Sequence, residues 1–324
     1  MEKKRAFYKT LMCVWLLVPT PSFADTSSLA DKISATRIAC SGISNELTDL
    51  KKMAGINTAV TAVGTVAGGV AFGTGLAKVG IDAEAEQVEA ELQAEIDKLN
   101  QLAAAQTHID AVPYFDPTPN DTTAASTSGS KSEIDKKQEE LDQLTQKSKT
   151  LGNIRTGTLV GATVVDTAGA IIAANNKVDE DLQTRIDKCK ASVEELQKTI
   201  MPAKMDGEDV SKAQQIVNAC REYSYIDMSP INKRAKGAMV SSIVGATTGL
   251  AGTVTSAMAN TDATRNDNSE SGKQKEKNLN TASNVLAGTT TIASGVATVF
   301  NATQIGAIKR IAKVADECEG VLNQ

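Results

Sequence analysis

Four long stretches of the sequence are almost free of charged residues. They cover residues 53–77, 156–176, 237–261 and 278–308, and Asp166 is the single charged residue within them. Each contains glycine, and in three of them two glycines lie four residues apart, which places the pair on one face of a helix. The three pairs are Gly64 and Gly68, Gly157 and Gly161, and Gly245 and Gly249. In the fourth stretch, Gly288 is the corresponding glycine.

Glycine is a poor helix residue and needs a reason to occur so often in a helix. It costs about 0.5–1 kcal/mol relative to alanine, so several in one stretch would destabilise an isolated helix. The cost is tolerable where a face without side chains lets a second helix approach closely. We therefore interpret the glycine pairs as helix-packing faces of a glycine zipper. The 3% aromatic content also disfavours an aromatic-rich β-sandwich.

Amphipathic segments flank the uncharged stretches. Apolar and small residues recur in them at alternating spacings of three and four, which is the pattern of a coiled-coil seam. The first seam consists of Leu29, Ile33, Thr36, Cys40, Ile43, Leu47, Leu50 and Ala54. Similar seams surround Cys189, Cys220 and Cys318. The pattern predicts an all-α fold, namely an elongated antiparallel four-helix coiled-coil bundle with glycine-zipper middles.

The two halves of the chain resemble each other. A shift of 180 positions aligns Cys40 with Cys220, and a shift of 181 aligns Gly64 with Gly245. We interpret this similarity as two repeated helical hairpins, although sequence rich in Ala, Gly and Thr aligns easily by chance.

The predicted hairpins cover residues 25–201 and 202–324. The first closes through 106–131, where three prolines and a Thr/Ser run predict a disordered tip. The second closes through a shorter tip at 262–274, and the segment 202–207 is expected to form the turn between the hairpins.

Four cysteines, Cys40, Cys189, Cys220 and Cys318, remain after Cys13 is removed with the predicted signal peptide. An even number in an exported chain predicts two disulfides. On opposing helices each cysteine lies roughly 36–45 Å from a common glycine layer, at a rise of 1.5 Å per residue. These heights favour Cys40–Cys189 and Cys220–Cys318. A Cys189–Cys220 bridge remains open, because those residues also lie at similar heights.

The first 24 residues have the three parts of a cleavable secretory signal. Basic residues come first, an apolar stretch follows at 11–18, and Ser22-Phe23-Ala24 ends the segment. We expect cleavage after Ala24, which changes the formal net charge from -5 to -8. The alternative is an N-terminal membrane anchor, but that needs about 20 apolar residues.

The uncharged stretches leave two interpretations open. Their lengths suffice to cross a bilayer, where GxxxG faces are common. However, 13 of the 31 residues in 278–308 are polar, and Asp166 would be costly in lipid. The polar content favours a tightly packed soluble bundle, with membrane insertion as the alternative.

No pattern in the sequence indicates catalysis, a cofactor or a metal. His108, the only histidine, has no neighbouring ligand set, and the acidic composition does not fit nucleic-acid binding. No small-molecule substrate is evident. We expect an exported, periplasmic or secreted protein with a structural or interaction role, whose helix faces contact envelope proteins or other copies of the chain. The alternative is a membrane-inserting protein, either a pore former or a membrane-anchored assembly.

Overall fold

The computed structural model describes residues 28–109, 122–265 and 269–324. This part of the chain is 92% helical and contains no strand, as the sequence predicts. The predicted signal peptide lies outside the described residues. The helices are α1 (Leu29–Cys40), α2 (Ile43–Ile109), α3 (Thr122–Asn175), α4 (Glu180–Met205), α5 (Ser211–Cys220), α6 (Ser229–Ala259), α7 (Asp262–Arg265) and α8 (Glu270–Leu322), with a 3₁₀ turn at Arg221–Tyr225.

Breaks interrupt the long helices that the seams predict. Gly42 has φ +76° and separates α1 from α2, in a conformation that other residues rarely adopt. The Asp179 side chain accepts a hydrogen bond from Leu182 N at 2.7 Å and starts α4 separately from α3. Pro230 lies in the first turn of α6, where its missing N–H is harmless. Each break carries a recognised start or stop signal that the regular seam conceals.

The connections contain more helix than the sequence predicts. α2 continues to Ile109 and α3 begins at Thr122, so helix extends into both ends of the predicted tip 106–131. Its three prolines fall in 110–121, outside the described residues. α7 and the start of α8 likewise lie in 262–274. Pro202 lies inside α4, and the chain turns only beyond it, where Gly207 has φ +81°.

The four long helices form the sides of a bundle. α2 packs against α3 and α8, and α6 packs against the same two helices from the other side. Contacts across α2 and α8 join Asn57 to Asn301 and Lys78 to Glu276. Residue numbers therefore fall along α8 as they rise along α2.

Three sections follow one another along the bundle. The cysteine head comprises residues 28–52, 177–236 and 309–324, and the middle section comprises the four uncharged stretches. The tip comprises the described parts of 78–155 and 262–277. The head contains nearly all of the large apolar core, including Leu29, Ile43, Leu47, Leu182, Ile186, Leu196, Ile200, Ile216, Tyr223 and Ile231. In the tip, the buried large apolar residues are Val88 and Leu92 on α2 and Leu144 on α3.

Candidate functional site

The surface of the middle section is apolar. Of the 26 large apolar side chains exposed among the described residues, 20 lie in this section. The exposed fraction reaches 70% for Ile292, 67% for Val66 and 64% for Val164. The others are Met53, Ile56, Val63, Val70, Phe72, Leu76, Val160, Ile171, Val240, Ile243, Val244, Leu250, Val254, Met258, Val285, Val296 and Val299. So many exposed apolar side chains in one section are unusual for a soluble monomer.

The interior of the same section is small and polar. Among its buried apolar residues, only Leu159 and Ile308 are larger than alanine. Polar side chains are also buried there: Asn57, Thr61, Asp166, Asn176, Ser242, Ser256, Asn280, Ser283, Asn284, Thr290, Ser294, Asn301 and Gln304. The usual distribution of residues in a water-soluble helix bundle is thus inverted.

Four helical stretches of the described chain are long and apolar enough to cross a membrane. They lie within Leu29–Gln101, Ser132–Met205, Ser229–Ala259 and Glu270–Leu322. Each overlaps one of the four uncharged segments almost completely. This result depends only on the length and composition of the helices. The four helices are the same ones that enclose the polar interior.

A buried arginine marks the border between the middle section and the tip. Arg155 on α3 is fully buried, and its guanidinium donates to Ser256 Oγ at 3.0 Å, Asn284 Oδ1 at 3.0 Å and Asn280 Oδ1 at 2.8 Å. Gly75 on α2 supplies the space, because a Cβ there would collide with Asn284. One cation thereby joins α3, α6 and α8 in a single polar network.

A second buried cation lies one layer further into the tip. Lys78 on α2 is fully buried, with Nζ 2.5 Å from Asp82 Oδ2 and 3.4 Å from Glu276 Oε1 on α8. Ser148 on α3 donates to the other oxygen of Asp82 at 2.5 Å. These contacts balance the charge of the lysine where a lone cation would be strongly disfavoured.

Asp166 lies near the centre of the middle section. It is fully buried, and Ser294 Oγ on α8 lies 2.8 Å from each of its carboxylate oxygens. Gly64 on α2 and Gly245 on α6 are its other neighbours, since a Cβ at either position would meet a carboxylate oxygen. Asp166 thus faces three helices, none of which brings a charged side chain to this level.

Amide and hydroxyl side chains continue the polar axis toward the head. Asn57 on α2 donates to Asn301 Oδ1 on α8 at 2.9 Å, and Thr61 lies beside this pair. Gln304 then donates to the backbone oxygen of Asn176 at 2.9 Å. The axis therefore extends from Lys78 in the tip to Gln304 beside the head, with an apolar layer around Leu159 between Arg155 and Asp166.

The predicted packing glycines divide into three kinds. At Gly68 a Cβ would lie 3.2 Å from the Thr291 backbone, which is a close helix approach, and Gly288 lies against the Phe72 ring. Gly64, Gly245 and Gly249 instead make room for polar side chains, since Gly249 faces Thr163. The packing prediction is wrong for Gly157 and Gly161, where a Cβ would meet no atom within 4 Å. The close-contact glycines of α3 are Gly152, facing Asn260, and Gly169, facing Thr61.

The structure pairs Cys40 with Cys189 and Cys220 with Cys318, which are the pairs that the helix heights favour. Their Cα atoms lie 4.7 and 4.6 Å apart, and a Cys189–Cys220 bridge is not formed. The sulfur atoms of Cys40, Cys189 and Cys318 all lie within 4.8 Å of one another, so the two bridges are neighbours in the core. In this bonded state they present no thiolate to a metal.

Tyr223 is the largest buried aromatic residue of the head. Burial and the nearby Glu319 carboxylate raise the pKa of its phenol, and its hydroxyl makes no hydrogen bond with the described residues. Among the described residues of the head, this hydroxyl is the one buried side-chain group without a hydrogen-bond partner.

Sequence reasoning missed most of the polar axis. It named Asp166 only as an obstacle to membrane insertion and gave no role to Arg155, Lys78 or Asn301. A usable signal exists, because the buried residues from Gly152 to the end of α3, together with Asn176 directly after it, keep a regular spacing of three and four. They are Gly152, Arg155, Leu159, Ala162, Asp166, Gly169, Ala173 and Asn176.

Comparison with known proteins gives no relative from which a function can be transferred: no family model, curated protein or solved structure matches the chain.

Proposed function

We propose that the chain is an exported membrane protein whose middle section crosses a lipid bilayer as an antiparallel four-helix bundle. The supporting observation is the inversion of the middle section, with Val, Ile and Leu outside and Gly, Ala, Ser and Asn inside. Lipid accepts that exterior without cost, and small interior residues are what membrane helices use to pack.

The dimensions fit this proposal. The shortest uncharged stretch, 156–176, has 21 residues and extends about 31 Å as a helix, close to the roughly 30 Å hydrocarbon core of a bilayer. Charged residues resume directly beyond it, at Lys177 and Arg155. Lys177 is exposed and suits the headgroup region, whereas Arg155 is buried inside the bundle.

The polar residues of 278–308 no longer argue against insertion. Seven of the 13 are buried in the bundle, and the three most exposed, Asn278, Thr281 and Thr303, lie near the ends of the stretch. Threonine hydroxyls near the surface bond back to their own helix, as Thr289 does to Val285 O at 2.9 Å. A lipid-facing threonine is satisfied in this way.

The disulfides give the proposed bundle a direction. The head belongs on the oxidising, exported side, and the tip then lies on the opposite side of the bilayer. In this arrangement the protein is a membrane-anchored structural or interaction component, with no catalytic activity, whose head and coiled-coil tip contact partners or other copies on the two sides.

Membrane extraction tests the proposal. The full chain, expressed with its own N-terminus in a Gram-negative host, should remain in the membrane pellet after alkaline carbonate and dissolve only in detergent. The triple variant Val66→Lys, Val164→Lys, Ile292→Lys should lose that retention, since each lysine at mid-bilayer costs about 2.5–3.5 kcal/mol.

A matched control places three lysines on apolar residues that are equally exposed but lie in the head. These are Ile38, Met201 and Met205, exposed by 73%, 60% and 80%. Their replacement should leave retention unchanged. Recovery of the unaltered protein in the soluble periplasmic fraction would contradict the proposal.

A further inference from the structure

The carboxylate of Asp166 has no cationic side chain beside it in the middle section. Asp166 is the only charged residue in the four stretches of the middle section, and α2, α6 and α8 face it with Gly64, Gly245 and Ser294. The nearest charge on its own helix is Arg155, 11 residues away, or about 16 Å along the axis. A buried carboxylate in this position avoids a severe penalty by taking up a cation or a proton.

The contacts of Ser294 accommodate a protonated and an ionised Asp166 equally. Its Oγ lies 2.8 Å from both carboxylate oxygens and 2.9 Å from Thr290 O, and it has one proton for these three acceptors. When the hydroxyl donates to the carboxylate, it stabilises the ionised form of Asp166. When it donates to Thr290 O instead, Oγ is free to accept a hydrogen bond from the protonated carboxyl of a neutral Asp166.

The side toward the head is lined by buried polar side chains, two of which have unsatisfied oxygen atoms. One turn along α3, Asn57 Oδ1 and Ser242 Oγ are fully buried and have no hydrogen-bond partner in the described residues. Both atoms lie within 3.5 Å of the position that a Cβ on Gly169 would occupy. Two unsatisfied polar atoms around one small residue are the usual surroundings of a buried water. Asn301 and Gln304 continue the polar side chains to the head.

The side toward the tip is closed. Leu159, Ala71 and Ala287 are fully buried and pack together as an apolar layer between Asp166 and the Arg155 network. Leu159 is the one large apolar side chain in this part of the interior, and it also lies against Gly252. A layer of this kind stops water and protons by dewetting.

We propose that Asp166 is the proton-binding site of a transmembrane proton pathway that opens toward the head and is gated at Leu159. A proton from water on the head side neutralises the carboxylate, and it leaves toward the tip when the Leu159 layer admits water. This inference rests on the proposed membrane span.

Proteoliposomes test it directly. Purified full-length protein is reconstituted in phosphatidylethanolamine/phosphatidylglycerol vesicles with trapped pyranine, and proton entry is followed after an external pH step with valinomycin present. Leu159→Ala should raise the proton leak at least tenfold over the unaltered protein. The double variant Leu159→Ala, Asp166→Asn should return it to the original rate, and Leu159→Ala, Ser294→Ala should reduce it.

The control is Leu250→Ala, a leucine that is 59% exposed on the lipid-facing surface, and it should add no leak. A Leu159→Ala variant that does not leak, or that leaks equally with Asn at position 166, overturns the inference. A sodium flux that matches the proton flux overturns the assignment to protons. Flotation of the same vesicles separates the two proposals, because protein that fails to float contradicts the membrane span itself.

Discussion

The cysteine head and the middle section are both helical, but they place opposite residue types in their interior and on their surface. In the head, Ile186, Leu196 and Ile216 fill the core, and charged side chains such as Lys188 and Glu194 lie outside. In the middle section, alanine, glycine and asparagine fill the core, and valine and isoleucine lie outside. Three of the long helices, α2, α6 and α8, nevertheless continue from one section into the other without a break.

The difference shows that the spacing of the seam and the residue types on its inner and outer faces are specified separately. Spacing of three and four keeps one face of each helix turned inward in both sections. Residue type then determines what surrounds the outer face, since burial of apolar area stabilises the head only in contact with water. The boundary between them lies where charges end, between Lys52 and Met53 on α2 and between Ile308 and Lys309 on α8.

The largest expected effect is a difference in the free energy of unfolding between two Ile→Ala variants, one in the head and one in the middle section. Ile186→Ala in the head should lower the free energy of unfolding by about 3 kcal/mol, because it opens a cavity in a large apolar core. Ile171→Ala should change it little, because Ile171 is 59% exposed on the middle section. Urea unfolding in detergent micelles, monitored by circular dichroism, would measure both. Equal losses would mean that the surface of the middle section is packed against protein.

A smaller effect is expected from two glycines. Gly245→Val should cost about 2 kcal/mol, since its side chain would collide with Asp166 and overpack the interior. Gly157→Val should be tolerated, because a Cβ at Gly157 meets no atom within 4 Å. Thermal unfolding of both variants in the same detergent gives the comparison. Equal destabilisation would show that glycine is needed there for helix flexibility, independent of its neighbours.

The glycines of α3 show how much of the packing can be predicted from the sequence. Glycine at four-residue spacing predicts a shared face, but it does not say which helix that face meets. In α3 the predicted pair Gly157 and Gly161 faces outward, and the inward glycines are Gly152 and Gly169. The helical class and the favoured cysteine pairs depend on periodicity and length, which are local properties that can be read directly.

The polar axis could not be read in the same way. A search for apolar periodicity passes over a seam made of Asn57, Thr61 and Gly64, although its spacing is regular. Spacing can place Arg155 on the inward face of α3, but it cannot show that Asn280, Asn284 and Ser256 converge on the guanidinium from two other helices. Such convergence between residues more than 100 positions apart depends on tertiary structure, not on any local pattern.

The smallest prediction concerns the head alone. The Tyr223 hydroxyl is buried with no hydrogen-bond partner among the described residues, so Tyr223→Phe should raise the free energy of unfolding by about 1 kcal/mol. Removing the phenol should also abolish part of the loss of stability at alkaline pH. Because burial raises the pKa of this phenol in the folded state, the unfolded chain releases the proton first, and stability falls once the pH exceeds about 10.

Urea titrations at pH 7 and pH 10.5 would measure both changes, with Tyr225→Phe as the control because that tyrosine is 78% exposed. A loss of stability in Tyr223→Phe would mean that the hydroxyl has a partner, such as a buried water. The head would then also contain a hydrated polar group in its interior. The head and the middle section would differ in how many polar groups they bury, since both interiors would combine apolar packing with hydrated groups.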